Sequence, residues 1–126
     1  MATHDEIRAI FAKLPGTVEG TGRFGFDVEV KGKRKGVAWS WAERVDPKKA
    51  RVVNDSVLAV LTPNLEAKEL LIASDPEKFF TEPHYNGYPA VLVRLEKISA
   101  EELEGLIIEA YQARLPKPKR PRSGPR

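Results

Sequence analysis

Residues 24–41 read FGFDVEVKGKRKGVAWSW, and the two alternations inside that stretch decide the fold. Phe24, Phe26, Val28 and Val30 are interleaved with Gly25, Asp27, Glu29 and Lys31, so an extended backbone separates them into an apolar and a polar face. Gly32-Lys33-Arg34-Lys35-Gly36 is bounded by glycines and reads as a turn, after which Val37, Trp39 and Trp41 resume the period of two. The stretch is predicted as a β-hairpin with a cationic tip.

Toward the N-terminus the period changes. Thr3 followed by Glu6 is a capping-box pattern, and Ile7, Ile10, Phe11 and Leu14 recur at helical spacing until Pro15-Gly16 stops the helix. Toward the C-terminus, Val45-Asp46-Pro47 reads as a turn, Arg51-Val52-Val53 as a short strand closed by Asn54-Asp55, and Val57–Leu61 as a buried strand. Asn64 caps a helix whose apolar positions are Ala67, Leu70 and Leu71; Asp75-Pro76 starts a further turn, and Phe79 and Phe80 close the core. Val91, Val93 and Leu95 alternate in the last strand, and Ser99 with Glu102 caps a final helix striped by Leu103, Leu106, Ile107, Ala110 and Tyr111. The expected class is α+β: a two-layer sandwich, an antiparallel sheet covered by helices, in the rough order α-β-β-β-α-β-α.

A chain of 126 residues has room for one hydrophobic core. Apolar residues at 41% and charged ones at 31% support burial and exclude wholesale disorder. With no cysteine there is no disulfide, thiolate ligand or thiol nucleophile. Asp5, Glu6, Arg8 and Lys13 break up the first residues, so neither a signal-peptide core nor a membrane span is read there, and a cytoplasmic location with no membrane partner is expected.

The net charge of +3 hides a division. Arg114, Lys117, Lys119, Arg120, Arg122 and Arg126 form an acid-free C-terminal segment; taking those six from 21 basic residues leaves 15 against 18 acids, or −3, for residues 1–113. The prolines after Leu115 add an extended or disordered character, so the expected organisation is a domain over 1–115 and a basic, Pro-rich tail over 116–126.

Two basic segments are therefore candidate nucleic-acid contacts: Lys31, Lys33, Arg34 and Lys35 at the hairpin, and Lys117, Lys119, Arg120 and Arg122 in the tail. Lysines on an edge hairpin also block edge-to-edge pairing, and a charged tail also serves solubility alone. The loop Thr81–Pro89 concentrates His84, Tyr85 and Tyr88, and with Trp39 and Arg94 it is a candidate small-molecule site; core packing of the aromatics is the competing reading. No metal site is expected, since His4 lies near a terminus that would fray and no second histidine has ligand spacing to His84. No Walker loop, GxGxxG after a strand, GxSxG or HExxH occurs, so no cofactor is expected and the chain leans away from an enzyme.

The order of elements, with Leu14-Pro15-Gly16, Gly36-Val37-Ala38, Asp75-Pro76 to Phe80 and above all Pro83-His84-Tyr85-Asn86-Gly87-Tyr88-Pro89 and the strand after it, resembles the MmcQ/YjbR family over about residues 3–115. The resemblance implies an α/β fold of the CyaY-like or secretion-chaperone-like kind and a DNA-binding role; it carries no catalytic residues. The expected function is thus low-specificity binding of DNA or RNA, with a protein-interaction or chaperone-like adaptor and a small-molecule-binding domain as alternatives.

Overall fold

The computed structural model describes residues 1–43, 48–50 and 52–116, and of Glu43 only the backbone. The predicted turn at 45–47 and the tail residues Lys117, Lys119, Arg120 and Arg122 lie outside the described residues.

Helix α1 (His4–Ala12) begins as its capping box requires: Glu6 N–H donates to Thr3 Oγ1 at 3.1 Å and Thr3 N–H to Glu6 Oε1 at 2.9 Å. It buries Ile7, Ile10 and Phe11, then gives way to β1 (Thr17–Glu19), β2 (Gly25–Val30), β3 (Lys33–Glu43) and β4 (Val52–Leu61). Helix α2 (Leu65–Ser74), β5 (Phe79–Phe80), a 3-10 turn at Pro83–Tyr85, β6 (Ala90–Arg94), a second 3-10 turn at Leu95–Lys97 and α3 (Ala100–Arg114) follow. The six strands pair antiparallel throughout in the order β1-β2-β3-β4-β6-β5, which confirms the expected α+β class. Among the described residues no helix is long and apolar enough to cross a membrane.

The strand alternation sorts the side chains into two clusters. Phe26, Val28, Ala38, Leu58, Val60, Val91, Val93 and Phe79 meet Ile7 and Phe11 of α1 and Leu103, Ile107 and Ala110 of α3 in the main core. At roughly 1.5–3 kcal/mol for each large apolar side chain fully buried, this helix-covered face is the chief source of stability. The opposite face carries a smaller cluster of Val57, Ala59, Ala90, Leu92 and Tyr85 with Trp39, Trp41 and Phe80 packed on it. The Thr81–Pro89 loop supplies Tyr85 to that face.

Five details differ from the sequence reading. The hairpin turn is only Lys31-Gly32: Val30 pairs with Lys33, Glu29 with Arg34 and Val28 with Lys35, so three of the four expected tip cations stand on strand β3. Both turn residues have positive φ, +51° and +78°, the requirement of a type I′ turn whose twist suits two paired strands. Asn54-Asp55 does not close a strand; the Asn54 carboxamide accepts from Ser56 N–H at 3.0 Å within a bulge, and pairing shifts from Ser40–Leu58 to Trp41–Asn54. The pairs Thr17–Val28 and Phe79–Val93 add β1 and β5, both too short for a period to show. In α2, Leu71 packs on the main core and Ala67 is half-buried as expected, but Leu70 is 65% exposed and Lys68 is buried in its stead. His4 is also held rather than frayed, its ring stacked on Phe24 at 3.9 Å and Nε2 2.8 Å from the Asp55 carbonyl.

Candidate functional site

The β2–β3 hairpin projects its cations in two rows, because neighbouring strand residues point to opposite faces. Lys33 and Lys35 pair with Val30 and Val28 and so belong to the helix-covered side, while Arg34 stands opposite Glu29 on the other side, 4.0 Å from its carboxylate. Both partners of that ion pair are exposed, so it contributes at most about 1 kcal/mol.

The last turn of α3 reaches this hairpin. Arg114 Nε donates to the Gly36 carbonyl at 2.9 Å, and Leu115 packs on the main core, so the chain arrives at Pro116 beside the base of the cationic strand. Residues 36 and 114, 78 apart along the chain, are thereby brought together.

A separate site forms on the opposite face. Trp39 Nε1 donates to the Tyr85 hydroxyl at 2.9 Å, and Arg23, Trp39, His84, Tyr85 and Tyr88 surround a cleft of about 300 Å³. Sequence reasoning joined Trp39, His84 and Tyr85, and the fold does bring these three together. Arg94 is the exception: its guanidinium lies 4.1 Å over the Phe80 ring and donates to the Glu77 carbonyl at 3.0 Å, tying β6 to the segment before β5 and leaving it out of the cleft. Arg94 ends the strand that begins at Ala90, five residues and about 17 Å beyond Pro89, the last residue of the loop. Trp41 likewise packs edge-on against Phe80 at 5.5 Å and does not line the cleft.

The cleft is held from two sides. On one, Trp39 sits between glycines: a Cβ on Gly25 would come within 3.0 Å of Trp39 Cβ, and one on Gly36 within 3.1 Å of the indole ring. On the other, Lys68, only 3% exposed, reaches under the loop and donates to the carbonyls of Tyr85 at 2.5 Å and Tyr88 at 2.9 Å. Burial pushes the Lys68 ammonium below the ordinary lysine range, with Glu69 acting weakly in the opposite sense. The loop also closes on itself, with Glu82 capping His84 N–H at 3.0 Å, Tyr88 N–H donating to the Tyr85 carbonyl at 3.0 Å and Gly87 at φ +79°.

Arg23 and Lys68 are the residues that sequence reasoning missed. Arg23 precedes the alternating stretch in an irregular Gly-Thr-Gly-Arg segment with no pattern to mark it. Lys68 did carry a signal, a cation beside Ala67 on the apolar side of α2, which a helix drawn through Leu70 concealed. The arrangement presents hydrogen-bond donors and aromatic faces; among the described residues no group of three or more metal-ligating side chains occurs.

No family model matches the chain. Three mycobacterial proteins are similar to it: the uncharacterized protein Mb2600 of Mycobacterium bovis, and MT2646 and Rv2570 of two Mycobacterium tuberculosis strains. Each is 37% identical over 123 residues, covering 93% of this chain and 92% of the relative. Among solved structures, Deinococcus radiodurans protein DR2400, with the family-model domain DUF419, shares the fold at a TM-score of 0.66 and 23% identity over 88% of this chain and 77% of that one.

Proposed function

The chain belongs to the family of the mycobacterial proteins Mb2600, MT2646 and Rv2570, and from that premise we propose that it binds nucleic acid, with DNA as the first candidate, through the cationic hairpin and the basic tail and with little sequence preference. The observation that supports this reading is the bond from Arg114, in the last turn of α3, to the carbonyl of Gly36, the residue after Lys35. Clustered lysines and arginines gain affinity from phosphate backbones by releasing condensed counterions, and they need no fixed base geometry to do so. Residues 1–113 are net negative, so the attraction is assigned to the hairpin cations and the basic tail. We adopt the MmcQ/YjbR assignment as the finer family; the likeness of fold to DR2400 supports it and carries no function with it.

The test is affinity for single-stranded and duplex DNA across a salt series, for the full chain and for a version ending at Leu115. Each neutralised phosphate contributes roughly −0.7 (single strand) or −0.9 (duplex) to the slope of log affinity against log salt, so the full chain is expected to be steeper than the shortened one. Absent or salt-insensitive binding in the full chain would remove the reading, and a protein partner retained at high salt would favour an adaptor instead.

A further inference from the structure

The cleft between the Thr81–Pro89 loop and strand β3 has a composition that the hairpin reading leaves unused. Every polar side chain at its rim can donate a hydrogen bond. Arg23, the His84 ring and the Tyr88 hydroxyl make no hydrogen bond or ion pair among the described residues, and Tyr85, whose hydroxyl accepts from Trp39, keeps its own proton to give. Such a set suits an anion. Flat surface is present beside it, because Tyr88 is 42% exposed and Trp39 half-buried, which suits a planar ring. About 300 Å³ is the lower end of small-ligand sites, enough for one ring and one charged group.

The site is also built in advance. Lys68 holds the backbone carbonyls of both tyrosines from beneath, and the Tyr85 hydroxyl accepts from the indole N–H, so few groups remain to be ordered on binding. Finally, the cleft shares a wall with the hairpin: the Trp39 ring lies against Gly36, and Arg34 stands two residues further on the same face of the sheet.

We propose that this cleft is a nucleotide site, with a heteroaromatic base against Tyr88 and Trp39 and a phosphate held by Arg23 and the phenol hydroxyls. The nucleotide is either free or an unstacked residue of a single strand that continues onto the hairpin. The strand form rests on the nucleic-acid reading given above, and the free form stands without it.

The experiment follows tryptophan fluorescence of the full chain carrying Trp41→Phe, so that Trp39 is the only reporter, on titration with dTMP, thymidine, inorganic phosphate and a ten-residue oligo-dT. Saturable quenching by dTMP, weakened at least about fivefold by Arg23→Ala and by Tyr88→Ala, is the expected result; a lost stacking partner alone costs that much or more. Tyr88→Phe, which retains the ring, is expected to stay closer to the parent than Tyr88→Ala does, and thermal melts of all variants check that they fold. Binding of oligo-dT but not dTMP, with the same sensitivity to both alanine variants, assigns the site to a strand and supports the proposal. Oligo-dT binding that is steep in salt but indifferent to both variants, with no response to dTMP, overturns the site and leaves the nucleic-acid reading standing. Binding of dTMP without any of oligo-dT does the reverse. Competition by inorganic phosphate or thymidine as strong as by dTMP overturns the nucleotide assignment, because one half of the ligand would then contribute nothing.

Discussion

Lys68 Nζ lies 2.5 Å from the carbonyl of Tyr85, so a buried ammonium on α2 holds the loop that shapes the cleft. What this contact is worth depends on what remains when it is lost. The Tyr85 carbonyl also accepts from Tyr88 N–H and the Tyr88 carbonyl from Ala90 N–H at 2.8 Å, so neither acceptor is orphaned by Lys68→Met. An acceptor left with no donor costs about 1–3 kcal/mol, whereas a net hydrogen bond contributes about 1, and removing a desolvated charge offsets part of that. Lys68→Met is therefore expected to change global stability by no more than about 1 kcal/mol while loosening the loop. Urea unfolding and amide exchange at residues 85–88 check the two halves, and a loss above about 3 kcal/mol would show the ammonium to be a structural keystone instead.

The same burial sets a pH dependence whose sign is fixed. The native state holds the Lys68 proton less tightly than the unfolded chain, whose lysine has the ordinary value of 10.5. Between the lowered native value and 10.5 the unfolded state therefore binds more protons, and the Lys68 contribution to stability rises with pH; below that window the cost of burying the charge is fully present. Lys68→Met abolishes this rise. The stability of the parent relative to the variant is expected to grow between neutral pH and pH of about 10.5, with the other lysines cancelling in the difference. A gap that is flat or shrinks over that range would contradict the assignment.

Lys31 occupies the left-handed region at φ +51°, where a residue with a Cβ is disfavoured by about 1–2 kcal/mol relative to right-handed backbone. Asparagine tolerates that region and favours a type I′ turn before glycine, so Lys31→Asn is expected to stabilise the protein by about 0.5–1 kcal/mol. For a domain of this size that raises Tm by a few degrees, about 4–8 °C per kcal/mol. The substitution also deletes a hairpin cation. Greater stability combined with weaker, less salt-dependent DNA binding would identify Lys31 as a residue kept for charge at the expense of its turn.

How far the sequence reveals this protein differs by element. The N-caps of α1 and α3, the period-two strands and the stripe of α3 were legible because each is a local pattern carried by residues close together in the sequence. Strands β1 and β5 were not, since two or three residues form a strand only because β2 and β6 offer them a ladder. The run from Lys33 to Lys35 read as a turn because glycines bound it; it pairs as strand because the two-residue turn before it fixes the register and the edge tolerates charge. At the cleft, Trp39 and the loop aromatics were legible as chemistry but not as neighbours. Their meeting is set by long-range pairing, Trp39 with Ala59 and Ala59 with Leu92, which no spacing within the sequence expresses.

Gly25 and Gly36 both crowd Trp39, and the atoms they crowd predict different outcomes. A Cβ at Gly25 would meet Trp39 Cβ at 3.0 Å and the backbone atoms Ala38 O and Trp39 Cα at 3.2 Å, none of which can swing away without moving the strand. Gly25→Ala is expected to cost about 1–3 kcal/mol, the usual range for an overpacked site. A Cβ at Gly36 would come close to Cζ3 and Cε3 of the indole, at 3.1 and 3.3 Å, with Asp27 Oδ1 at an ordinary 3.7 Å, and the indole carbons belong to a ring that rotates about its own bonds. Gly36→Ala should therefore leave most of the stability intact and turn the indole off the Tyr85 hydroxyl. Chemical unfolding ranks the two variants, and near-ultraviolet circular dichroism with Trp39 fluorescence reports the ring. The pair also separates packing from binding: because Gly36→Ala disturbs the cleft without unfolding the sheet, it should weaken dTMP quenching more than it lowers Tm, whereas Gly25→Ala should do the opposite. Equal losses of stability from both substitutions would mean that the indole cannot move, and that Trp39 is fixed by contacts beyond the two glycines.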